Sequence, residues 1–89
     1  MLERYIYMKN IKETVDLMIS ESKSDRLKAE FYQLEFRIRD LQKYMYDLES
    51  NKADDKPRCG YDVLRIQLKT MFEYRRVLLD RAEMEGIIL

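Results

Sequence analysis

Histidine is absent from this chain, cysteine and proline occur once each, glycine twice and tryptophan not at all. Without His the chain lacks the side chain that titrates near neutrality, the usual general base and the commonest transition-metal ligand. The lone Cys59 has no partner for an internal disulfide, and a zinc site would need further ligands of the same kind. One unbridged thiol fits a reducing compartment, so a cytoplasmic location is expected. Two Gly and one Pro are too few for a turn-rich β fold. An excess of charge is missing too, since 17 basic residues cancel 17 acidic ones. The balance is also local: five basic stand against six acidic residues in 25–49, and five against five in 61–89. No net field therefore draws the chain to nucleic acid or an anionic membrane, and neither is expected as a partner. No window approaches the roughly 18 apolar residues of a membrane span. The apolar stretch 2–8 is broken by Glu3 and Arg4, which argues against a signal peptide.

Eighty-nine residues make one domain at most. Such a domain buries only about 60–65% of its unfolded surface and needs a compact bundle or a partner chain. What the chain does have is periodicity. Leu27, Leu34, Leu41 and Leu48 recur every seven residues, and Phe31, Ile38 and Met45 follow the first three by four. That is an unbroken a/d heptad, the pattern of a helix with one apolar seam. Asp25 is a candidate cap, and Ser22-Lys-Ser-Asp25 resembles a capping box. The polar stretch 50–60 holds the only Pro and ends in Gly60, so it reads as a loop. Tyr61, Leu64, Leu68, Met71, Arg75, Leu78 and Ala82 then form a second seam with one charge in it, and Gly86 is placed to end that helix. Met8, Ile11, Val15 and Met18 mark a shorter amphipathic helix at the front, and Met8 is a candidate internal start.

These patterns predict an all-α fold, a long antiparallel helical hairpin with a shorter N-terminal helix and coiled-coil-like packing. The expected boundaries are helix 2–20, linker 21–24, helix 25–49, loop 50–60, helix 61–85 and an apolar tail 87–89. The apolar stripes are wide for a hairpin, so a homo-oligomer is expected. Its contacts would come from Leu27, Phe31, Leu34, Ile38, Leu41, Met45 and Leu48, from Leu68, Met71 and Leu78, and from Ile87, Ile88 and Leu89. A hairpin end offers the tail little cover, so it should pack on a neighbouring subunit or the N-terminal helix.

Catalytic, cofactor and metal residues are not expected. Asp54 and Asp55 fall in the loop, and Asp62, Glu73, Asp80 and Glu83 scatter around a helix, whereas hydrolytic and metal sites need convergent carboxylates. Binding is the expected mode of action. Gln67, Tyr74 and Arg81, spaced seven apart, form a polar line that is either a recognition strip or ordinary coiled-coil flank. Tyr74, Arg75 and Arg76 put two guanidiniums beside a phenol, able to hold a phosphate and stack a base. The alternative is that Arg75 snorkels from the seam to a carboxylate while Arg76 pairs with Asp80. Tyr5, Tyr7, Tyr32 and Tyr46 are candidates for a protein-docking face or for covering the bundle edges.

The segment Leu64-Arg-Ile-Gln67-Leu68-Lys-Thr-Met71-Phe-Glu-Tyr74-Arg-Arg-Val77-Leu78-Leu-Asp-Arg81, preceded by Leu34, Ile38, Leu41 and Tyr44, resembles a family of small helical-hairpin proteins of tailed bacteriophages and prophages. The likeness covers roughly residues 25–82. It implies a phage accessory protein in the host cytoplasm, of the kind that counters host defence by binding an immune protein or sequestering its cyclic-nucleotide signal. The competing expectation is a small coiled-coil adaptor in virion assembly.

Overall fold

The computed structural model describes residues 10–89. The front part of the expected 2–20 helix, with Tyr5, Tyr7 and the alternative start Met8, lies outside them. From residue 10 onward that helix is not continuous. Asn10 caps a 3-10 turn, Ile11–Thr14, by accepting from the Lys12 amide at 2.9 Å, and one α-helical turn follows, α1, Val15–Met18. A capping Asn and β-branched Thr14 and Val15 disfavour a long helix here.

Helix α2 spans Lys23–Glu49 and starts two residues earlier than the sequence predicts. Ser22, not Asp25, is its N-cap, with the Asp25 amide donating to Ser22 Oγ at 3.3 Å. Asp25 is then the third helical residue, the acidic position of a capping box. Its carboxylate accepts from the Ser20 hydroxyl at 2.9 Å, and Arg26 Nη1 donates to the Ser20 carbonyl at 2.7 Å. Helix α3 spans Tyr61–Met84 after an N-cap at Gly60.

Both long helices end in the same way. Asn51 and Gly86 take positive φ, 57° and 68°. The next amides reach back into the helix, Lys52 to the Asp47 carbonyl and Ile87 to the Ala82 carbonyl, each at 2.8 Å. These are Schellman motifs, which satisfy carbonyls left over at a helix end.

The long helices pack on each other. Tyr61 donates to Glu49 beside the loop, and Arg75 donates to Glu35 an equal number of residues further along each helix. The core between them holds Leu27, Phe31, Tyr32, Leu34, Ile38, Leu78, Ala82 and Leu89, with Leu68, Met71, Leu79 and Ile87 packed against it. Phe31 and Tyr32 meet edge to face, 5.3 Å between centroids. Burying one such large apolar side chain contributes about 1.5–3 kcal/mol. On another side of α2, the N-terminal turns are tied down by Gln33, whose Nε2 donates to the buried Thr14 hydroxyl at 2.9 Å.

Three expectations change as a result. Leu27, Phe31, Leu34, Ile38, Met45 and Leu78 are buried inside a single chain, so they offer no surface to a second copy. Leu41, Leu48, Leu68 and Met71 are half-buried. Tyr32 is fully buried and cannot belong to a docking face, whereas Tyr46 is 61% exposed. The tail finds cover in its own chain: the turn at Gly86 leads Leu89 into the core beside Leu27, Phe31, Leu78 and Ala82, while Ile88 stays exposed. Among the described residues no helix is long and apolar enough to cross a membrane.

Candidate functional site

Successive residues of an α-helix step about 100° around its axis. Tyr74, Arg75 and Arg76 therefore point in three directions and do not converge. Tyr74 is exposed. Arg75 lies in the seam, half-buried, paired with Glu35 and with its guanidinium 5.7 Å from the Phe31 ring centre. Arg76 lies on another face, 3.7 Å from Asp80. Arg75 thus does what a charge at a core-type position must do, reaching a carboxylate at the seam's edge while its stem covers an aromatic ring.

Arg76 shares its face with a different set of residues. Together with Arg65, Leu68, Lys69, Phe72 and Glu73 it lines a shallow, wide-open groove of about 670 Å³ on the surface of α3. Phe72, 43% exposed, also borders a second hollow of about 380 Å³ between α2 and α3, which includes Glu35, Ile38, Arg39 and Gln42. One aromatic ring is thus flanked by three cations on α3 and by Arg39 on α2. Arg65 is anchored by Asp62 and stacks 5.7 Å from the Tyr61 ring centre; Arg39 lies 5.0 Å over Phe36. Chemically, such a groove suits a ligand with an apolar or aromatic body and negative charge, because ring and guanidiniums act on the two parts separately. The sequence signal for it is Arg65, Lys69, Phe72 and Arg76 at four-three-four spacing, overshadowed by the denser Tyr74–Arg76 run.

Gln67, Tyr74 and Arg81 are all exposed along α3. Arg81 also lines a polar cleft with Lys23, Arg26, Glu30 and Glu85, where the start of α2 meets the end of α3. Beside the loop, the Tyr61 phenol is held above its ordinary pKa by the hydrogen bond to Glu49 and by desolvation. Tyr44 is raised by desolvation and by Asp55 and Cys59. Both shifts carry the phenols further from neutrality. Among the described residues no three His, Cys, Asp or Glu side chains gather as a metal site would require.

Neither a curated protein nor a solved structure matches the chain significantly. A family model does match: the model is that of Sequestin, it aligns with residues 21–84, and that stretch takes in both long helices and the Phe72 groove. Well over half of the chain lies inside the match, and the protein belongs to the Sequestin family.

Proposed function

We propose that this Sequestin-family chain is a non-enzymatic phage accessory protein that acts by sequestration in the host cytoplasm. The two long helices form an antiparallel hairpin, the chain assembles as a homo-oligomer, and each copy holds a small anionic ligand such as a cyclic nucleotide that signals host defence. The family's name speaks of sequestering. The observation that carries the ligand class is the exposed Phe72 ring set between Arg65, Lys69 and Arg76. A base stacked on an aromatic ring contributes about 1–3 kcal/mol, and a charge-assisted hydrogen bond to phosphate about 1.5–3 kcal/mol. One ring and two cations would therefore supply roughly 4–9 kcal/mol, which corresponds to binding between about millimolar and about micromolar without chemistry.

Calorimetry with a panel of cyclic di- and trinucleotides tests this directly. Phe72→Ala should weaken binding roughly tenfold or more and leave the melting temperature nearly unchanged, since its side chain stands outside the core. If no nucleotide binds, and native mass spectrometry of protein from infected cells retains no small molecule, the nucleotide reading is wrong. Co-purification of a host immune protein would then redirect the same sequestering role to a protein target. The alternative, a coiled-coil adaptor in virion assembly, is favoured by a separate observation, the exposed Val63, Ile66, Val77 and Met84 on α3. Stoichiometric presence in purified virions would select it.

A further inference from the structure

The core seam of α3 is covered by α2, but a second apolar line on α3 is not. Val63, Ile66, Tyr74, Val77 and Met84 are 51%, 65%, 43%, 52% and 85% exposed. With Thr70 they are spaced three, four, four, three and seven, which keeps them on one side of the helix over nearly its whole length. The Thr70 hydroxyl donates to the Ile66 carbonyl at 2.8 Å, so it needs no partner from another chain. Arg81 falls in the same line between Val77 and Met84, and no acidic residue interrupts it. Along one border run Lys69, Glu73, Arg76 and Asp80, spaced four, three and four, with signs that alternate plus, minus, plus, minus.

That border is complementary to itself. A twofold axis midway between residues 74 and 75 lays the helix antiparallel to its copy and brings the same border of both copies to the same side. Lys69 then faces Asp80 of the second copy, and Glu73 faces Arg76 of the second copy. Each contact occurs twice by symmetry, the self-matching that an isologous interface requires. Like charges brought opposite one another would instead be repulsive.

We infer that the exposed Val63–Met84 face of α3 is a homodimer interface, formed by antiparallel pairing with the same face of a second copy. This inference deepens the homo-oligomer of the functional reading and is independent of what the groove binds. Lys69 and Arg76 border both groove and interface, so assembly sets the second copy beside each Phe72 groove. A guanidinium carries five donors, enough for Arg76 to meet a carboxylate and still face the groove.

Sedimentation of the full chain at low ionic strength tests the pairing, with circular dichroism as a control on helix content. The wild type should be a reversible dimer or an even-numbered oligomer. Val77→Glu should raise the dissociation constant at least roughly tenfold without loss of helicity, because it buries a charge at the centre of the strip. Lys69→Glu should weaken assembly by about tenfold, since two attractions become repulsions, and adding Asp80→Lys should restore it. A monomeric wild type overturns both the interface and the oligomer. Unchanged assembly of Val77→Glu, or no rescue by the second charge change, overturns this face alone and leaves the oligomer standing. Loss of nucleotide binding in Phe72→Ala with assembly intact belongs to the groove and supports the separation of the two.

Discussion

The two long helices carry seams of similar length, yet α2 buries eight residues and α3 only three. The difference lies in the number of neighbours. α2 is covered on one side by α3 and on another by the N-terminal turns, so Ala29, Tyr32 and Phe36, off the heptad seam, are buried as well. They share the side of Gln33, the residue that holds Thr14. Among the described residues α3 is covered on one side only, and its other faces keep Ile66, Phe72, Val77 and Met84 in contact with solvent. α2 is thus the structural hub, whereas α3 presents the surfaces available to a ligand or a second copy.

The sharpest way to break this comparison is to truncate one residue on each helix. Phe31 is fully buried, and Phe31→Ala should cost about 3–5 kcal/mol in chemical denaturation. Ile66→Ala, measured at a protein concentration low enough to exclude assembly, should stay within roughly 0.5 kcal/mol of wild type. Comparable losses from the two would mean that α3 is covered by something beyond this chain even when dilute.

A smaller effect is expected where the helices exchange charge. Arg75→Leu leaves Glu35, whose side chain is 13% exposed, without its cation. We expect a loss of roughly 1–3 kcal/mol, below that of a fully buried pair because Arg75 remains 27% exposed. Adding Glu35→Leu should recover most of it, since two apolar residues suit the seam as well as the pair does. If the double variant is no more stable than the single one, the ion pair is not what Arg75 contributes.

Most of the helical framework was legible in the sequence because it rests on local and periodic signals. The heptads marked α2 and α3, Pro57 and Gly60 marked the loop, and Gly86 marked the end of α3. What was not legible depends on which faces meet. Tyr32 reads as an exposed tyrosine until it is seen in the core cluster with Phe31 and Leu78. Leu89 reads as a tail in need of a neighbour until the left-handed turn at Gly86 folds it back. Convergence of polar side chains is not legible from adjacency in sequence either, because successive helical residues point in different directions. Tyr74, Arg75 and Arg76 are dispersed around a helix, while Phe72 and Arg76, four apart, share one groove.

The tail extends the contrast between covered and uncovered residues to neighbours in sequence. Leu89, 4% exposed, should cost roughly 2 kcal/mol as Leu89→Ala, the lower end of the range for a buried leucine. Ile88, 80% exposed, should cost nothing measurable as Ile88→Ala. Equal effects in thermal melts would show that the tail does not keep one orientation.

The smallest expected effect concerns the two glycines, which bracket α3 and differ in backbone. Gly60 has φ −67° and Gly86 has φ +68°, and a Cβ built on either meets nothing within 4 Å. Sterics with neighbours therefore cancel from the comparison and only the backbone term remains. At Gly60 an alanine adopts the native conformation freely and narrows the unfolded ensemble, but glycine is the better N-cap, so the two effects oppose and Gly60→Ala should stay within about 0.5 kcal/mol of wild type. At Gly86 the left-handed conformation costs an alanine about 1 kcal/mol. Because the Ile87 amide to Ala82 carbonyl bond at 2.8 Å depends on that turn, Gly86→Ala should also loosen Leu89. Coupling is the informative readout: in a Gly86→Ala background, Leu89→Ala should cost less than it does alone. Strictly additive losses would mean that the left-handed turn and the burial of Leu89 are independent, and that the hydrophobic contact alone brings the tail back onto the core.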